Sequence, residues 1–445
     1  MDVDPYGDNP WRKNYLWFNL AHVCRKWRTV VFASCSRMNL AVVVGPIKPV
    51  HIKAILSSTL PILFDFSNIS EEMTSSALRR MHATLKHHHG RVREIIFEGS
   101  AANFEKLFRV TNHPFPVLES LSLWFEGDDK PKLPDTFLRG PDLPDLHLRH
   151  LSLLYPPLSS IFGLLSSPAS LTDLELIVHI NSPFSSSSVT TLLASLQSMS
   201  CLQHLCLDLS LSPSSVESPS QTPASKDIVP LSKLTSWSYT GHSVFLEALA
   251  AGLSAPSLRH VNIEFCDAIS PPTVHTSRFI NEIVEEYYAV HVAFDRDFSK
   301  QVPRLRLFTH SEYIGHCRAR FQMGFPRFGD YNYSPESICR MSEILSARLS
   351  TVEVLRINFG LALDQSLRVG PNLQMDNIIP WRMFLQWFPC VKAIRMEGRN
   401  NHPILRILLQ NREGPNDRIV FLPALEEIEL DAEHWLVQIA KMNPS

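Results

Sequence analysis

Leu118-Glu119-Ser120-Leu121-Ser122-Leu123 carries two signals at once. Leu121 and Leu123 alternate with Ser120 and Ser122, the period of a strand buried on one face. Leu118 stands three residues ahead and marks the turn into that strand. The same template, L-x-x-L-x-L with exchange among Leu, Ile, Val and aromatics, returns along the chain. Copies read Val92/Ile95/Phe97, Leu148/Leu151/Leu153, Leu171/Leu174/Leu176, Leu202/Leu205/Leu207, Leu234/Trp237/Tyr239 and Leu258/Val261/Ile263. They continue as Val302/Leu305/Leu307, Val352/Leu355/Ile357, Val391/Ile394/Met396 and Leu425/Ile428/Leu430. The residue between the last two apolar positions is assigned to the opposite face: Ser122, Ser152, Glu175, Cys206, Asn262, Arg356, Arg395 and Glu429.

Leucine-rich repeats run about 20–29 residues, so the longer intervals here need extra helix or loop in the return leg. Helical spacing fills several of them. Glu71 to His89 carries Met73, Ala77, Met81 and Leu85, with Gly90 as a C-terminal cap. Phe245 to Leu253, Ser277 to Val292, Pro335 to about Ser350, Pro380 to Trp387 and Ile404 to Gln410 are further helices. Prolines before Leu118 and Leu425 are expected to hold the chain extended. A strand at 60–66 precedes the first copy. Strand and helix in alternation predict an α/β fold, a leucine-rich-repeat-like solenoid. Residues 46–445 form this body and residues 1–45 a separate helical segment. Ser182 to Ser188, and Ser210 to Pro230 with its three Ser/Thr-Pro pairs, read as Ser/Pro-rich loops.

The 445 residues are 44% hydrophobic and 19% charged, with a formal net charge of −2. That composition predicts a folded chain and lacks the basic excess of a nucleic-acid binder. No apolar run reaches the roughly 18 residues that span a bilayer, and residues 1–15 have no signal-peptide core. An intracellular protein, cytoplasmic or nuclear, is expected, with its scattered cysteines reduced. No phosphate-binding glycine loop, nucleophile elbow or paired-cysteine zinc spacing occurs. His87-His88-His89 diverge around a helix and read as a charged helix C-terminus rather than a metal site. No catalytic residue, metal or cofactor is assigned, and the chain reads as a non-enzyme. Candidate contacts are Glu175, Arg356 and Arg395 on the strands, whose mixed signs name no target. Phe325, Phe328 and Tyr331, in an aromatic Gly/Pro loop, join them.

Near the start, LWFNLAHVCRKWRTVVFASCSRMNL (16–40) places Leu16, Leu20, Val23, Trp27 and Val30 at helical steps, with Cys24 widening the stripe. LAHVCRKWR resembles the second half of an F-box, and FASCSRMNL the link that follows it in F-box proteins of mushroom-forming basidiomycetes. Ile379 to Arg395, IPWRMFLQWFPCVKAIR, resembles a segment near the end of their repeat bodies, and LPALEEIEL (422–430) their last repeat. The resemblance implies a substrate receptor of a Skp1–cullin (SCF) ubiquitin ligase. Leu20, Val23, Cys24, Trp27 and Val30 would then serve the Skp1 surface or the F-box core, and the repeats would hold a protein target. A complete F-box opens on L-P-x-E-x-L-x-x-I-F. MDVDPYGDNPWRK (1–13) offers no such face, so an N-terminally truncated F-box is expected. The alternative is an interaction scaffold of F-box ancestry that no longer binds Skp1.

Overall fold

The computed structural model describes residues 24–26, 29–30, 42–44, 61–67, 75–108, 115–126, 147–156, 165, 170–178, 186–209, 228–265, 274–283, 289–297, 302–313, 316–326, 349, 353–359, 382–383, 385–397 and 422–430. The chain is α/β and divides into two compact units, Met1–Leu171 and Thr172–Ser445.

In the first unit β1 (Val42–Val44), β2 (Ile62–Phe66), β3 (Val92–Ser100), β4 (Ser120–Glu126) and β5 (His150–Leu154) lie side by side in chain order, all parallel. The template positions meet in register: Ile95 pairs with Leu121, and Leu121 with Leu151. Parallel neighbours need a crossover, and helices Ser75–His88 and Ala101–Phe108 supply two. Phe104 of the second helix packs on Phe97 and Phe125 and Phe108 on Phe97, with ring centroids 5.2–6.5 Å apart. Covering such rings contributes about 1.5–3 kcal/mol each.

The second unit begins the same way. β6 (Asp173–Ile177), β7 (His204–Leu209), β9 (Ser236–Gly241) and β11 (His260–Phe265) are parallel neighbours. Leu174, Leu205, Trp237 and Val261 stand at one level, all buried. The pattern then changes. β12 (Ala289–Asp297), β13 (Val302–Tyr313) and β14 (His316–Pro326) form an antiparallel meander inserted in the sheet. β14 lies parallel to β11, and β12 parallel to β15 (Val354–Phe359); β16 (Ala393–Glu397) and β17 (Glu427–Leu430) follow in order. Two short strands, β8 (Val229–Pro230) and β10 (Leu253–Ser254), pair separately.

Six strands open on one recurring turn. The N–H of Leu118 donates to the carbonyl of Phe115 at 3.2 Å, and the same bond joins Leu202 to Met199, Leu234 to Leu231, Leu258 to Ala255, Val391 to Phe388 and Leu425 to Leu422. The residue opening each turn is buried. Pro116, Pro256, Pro389 and Pro423 hold the second position, where a fixed φ near −65° suits the turn. The residue after four of these turns, Glu119, Gln203, Thr235 and Lys392, offers its carbonyl to two N–H groups at the next strand, as Gln203 does for Thr235 and Ser236 at 2.8 and 3.0 Å.

Four expectations need correction. Prolines 116 and 423 lie inside turns rather than in extended chain. Val302/Leu305/Leu307 is no further parallel copy, because β13 runs antiparallel to both neighbours. The helix expected over 277–292 occupies Val274–Ile283, and Val290 falls in β12, where Val290, Val292 and Phe294 alternate at period two. The Ser-rich stretch 182–188 reads into helix Ser186–Gln197, whose Val189, Leu192, Leu193 and Leu196 are buried. The helices expected at Pro335 and Ile404, and the loop at 210–227, lie outside the described residues.

Candidate functional site on the polar sheet faces

Alternation along each strand leaves one face of the sheet apolar and buried and the other polar. In the first unit the polar face carries Asp65, Glu94, Ser120, Ser122, His150 and Ser152. In the second it carries Asp173, Glu175, His204, Cys206, Asp208, Ser236, Ser238, His260 and Asn262.

Glu94 is the best shielded of these groups, with 7% of its surface exposed. Burial, then the neighbouring Asp65 carboxylate, raise its pKa to about 7; His150 and Arg93 pull the other way. Asp65 accepts hydrogen bonds from the backbone N–H and the hydroxyl of Ser67. Beside this pair Arg93 and Glu119 form an ion pair of 2.7 Å along the strand starts.

On the second unit's face the Cys206 thiol is pushed up to about 12 by burial and by the Glu175 and Asp208 carboxylates, against a hydrogen bond with Ser238. Such a thiol stays protonated and is no nucleophile. The Asn262 amide donates to Ser238 Oγ at 3.1 Å. Asp173, His204 and Ser236 stand in a row on adjacent strands, the residue set of a hydrolytic triad. Yet His204 Nε2 lies 3.9 Å from Asp173 Oδ1, beyond hydrogen-bond reach, and the Asp173 carboxylate already accepts from Thr172 Oγ1 at 2.5 Å. Strand pairing also engages the neighbouring backbone N–H groups that would stabilise an oxyanion. The row therefore lacks the His–Asp hydrogen bond that orients a triad histidine.

The sequence candidates fall out as follows. Glu175 is half-buried on this face. Arg356 and Arg395 sit directly opposite one another on β15 and β16. Phe325 is not in a loop: it belongs to β14, on the register side of Phe321 and Met323, which pair with buried Val261 and Ile263. Phe328 and Tyr331 lie outside the described residues, as do Leu20, Val23 and Trp27. Of the N-terminal stripe, Cys24 is exposed and Val30 is 50% exposed. Arg25, Lys26, Thr29 and Val30 are helical, and Thr29 Oγ1 donates to the Arg25 carbonyl at 3.1 Å.

The histidine run ends helix Ser75–His88 and enters a short 3-10 turn. His88 is shifted down by burial, by Arg91 and by His87, which favours its neutral form over the charged one expected. Among the described residues no group of three or more His, Cys, Asp or Glu side chains is placed to hold a metal, and no helix is long and apolar enough to cross a membrane.

What the sequence missed is the turn-opening residue, at Phe115, Met199, Leu231, Ala255, Phe388 and Leu422. Its signal, an apolar residue three places before the template's first position, was present at these six turns, whereas Asp145 and Pro168 stand there before Leu148 and Leu171. Comparison of the chain with models of protein families gives no match, and comparison with curated proteins gives none either.

Proposed function

We propose that the chain is a protein-interaction receptor of the F-box type, with a leucine-rich-repeat-like solenoid body that holds a protein target for a Skp1–cullin ubiquitin ligase. The observation that carries the reading is the polar face of adjacent parallel strands, which recurs with two or three polar residues on strand after strand. A solenoid of this kind binds through such a face, because its strand backbones are already paired and only side chains are left to meet a partner. The string LAHVCRKWR supports the ligase coupling, as does the half-exposed Val30 on its apolar stripe. In this reading the chain performs no chemistry and needs no cofactor.

The test is co-expression with a Skp1-type adaptor and affinity capture of the chain. Skp1 in the eluate, lost on Val30→Asp substitution, is the expected result. A well-folded chain that elutes without Skp1 rejects the ligase coupling and leaves an interaction scaffold.

A further inference from the structure

The first unit's polar face gathers acids around one carboxyl that the fold leaves without a donor. Glu94 stands level with Ser120 of β4 and, beyond it, His150 of β5. Ile95, the next residue, is fully buried, so alternation turns Glu94 to the polar face. Ser120 is half-buried and His150 exposed, whereas Glu94 is 7% exposed. Among the described residues no group donates a hydrogen bond to its carboxyl; only the charges of Asp65, His150 and Arg93 act on it. Asp65 of β2 takes both of its hydrogen bonds from Ser67 on Oδ1, at 3.0 and 2.6 Å, and among the described residues Oδ2 accepts none. Positive charge nearby stands at the strand starts. Arg93 and exposed Arg149 lie one residue earlier, on either side of Glu119, and Arg93 meets Glu119 at 2.7 Å. Among the described residues no Lys or Arg occupies a polar-face position of β2 to β5. Four residues along β3, roughly 13 Å at the rise of a strand, Glu98 pairs with Trp124, both half-buried and each with contacts of its own.

A carboxyl shielded from water and given no donor is costly to keep charged. Burial and then Asp65 accordingly raise Glu94 to about 7, so near neutrality it gains or sheds its proton with little change in free energy. A cation arriving from outside supplies both things the fold withholds, a donor and an opposite charge. An aromatic ring set among carboxylates, as Trp124 is, adds a π face of the kind that attracts Lys and Arg. We infer that Glu94 and Asp65 seat a Lys or Arg side chain of the partner protein, on a basic segment laid along β3 and β4 toward Glu98 and Trp124. This assignment rests on the receptor reading and gives it a ligand class. Binding ionises Glu94 and releases its proton to water, so affinity rises as pH rises through about 7.

The experiment titrates the full chain into fluorescein-labelled hexalysine or hexaglutamate and reads anisotropy at about pH 6 and about pH 8. An ionic strength of about 0.05 M keeps surface charges unscreened. Hexalysine should bind about five- to tenfold more tightly at the higher pH, following the ionised fraction of Glu94. Glu94→Gln should weaken binding at least about tenfold near pH 8 and flatten the pH step. A histidine also sheds its charge over this range, so a full step that survives in Glu94→Gln belongs to His150 and overturns the role of Glu94. Asp65→Asn should weaken binding at both pH values. Glu426→Gln, the same change at an exposed acid of the other unit, should leave it intact. Glu94→Gln should melt no lower than the parent near pH 8; an acid that only held the fold would lower Tm when replaced. Absence of hexalysine binding near pH 8, equal loss in Glu426→Gln, preference for hexaglutamate, or a fall in Tm of Glu94→Gln overturns the assignment. Hexalysine binding without Skp1 capture rejects the ligase coupling only, and Skp1 capture without hexalysine binding rejects the basic ligand only.

Discussion

Glu94 shows how far one carboxyl can be moved by its surroundings. Its folded pKa of about 7 stands above the ordinary carboxyl value of 4.5, with burial as the first cause and Asp65 as the second. Between those two pH values the folded chain keeps a proton that the unfolded chain has released. The resulting stability is whole below about pH 4.5 and is lost as pH rises through 7, an effect on the order of 3 kcal/mol. Glu94→Gln should therefore match the parent in thermal unfolding near pH 4.5 and exceed it near pH 8; a parallel shift at both pH values would refute this. Glu247 is buried for a different reason. Its carboxylate accepts the N–H groups of His275 and Thr276 at 2.7 and 2.9 Å and the Thr276 hydroxyl at 2.7 Å, closing the start of helix Val274–Ile283 from another helix. Glu247→Ala leaves buried donors unpaired and should destabilise the second unit by about 1–3 kcal/mol in denaturant titration. Neither role was legible in the sequence. Both depend on what a remote segment brings alongside, and each side chain, read by its neighbours alone, is an ordinary surface acid.

Elements were read best where their own periodicity decides them. The templates located β3 to β7, β9, β11 and β15 to β17, because an apolar pair at spacing two needs only one buried face. They failed where pairing partners decide direction, as in the β12–β14 meander. They also failed where composition hid a pattern, as in the Ser run that opens helix Ser186–Gln197. The turn before each strand is the most repeated element, and its opening residue bears more energy than its polar rim. Phe388→Ala and Phe115→Ala should each cost about 3–5 kcal/mol, since both rings are buried. Lys392→Gln removes an ion pair between side chains that are 50% and 40% exposed, and should cost less than about 1 kcal/mol. Equal losses from these substitutions in chemical denaturation would show that the rim, not the turn, holds the strands in place.

At the scale of the whole molecule, protection should follow strand order within each unit. Amide hydrogen exchange of β3 and β4, paired on both sides, should be slower than that of β1; in the second unit β15 and β16 should outlast β17. Glu175 was legible as a polar strand residue, but its gathering with Asp173 and Asp208 on β6 and β7 was not, because it depends on which strand lies next to which. β17 has a further consequence. Among the described residues no strand pairs beyond it, and it carries exposed Glu427 and Glu429, with exposed Glu426 just before it. A strand edge left open is a template on which a second copy could add its own strand. Two β17 edges brought together would set glutamates against glutamates, so like charge opposes that pairing between copies.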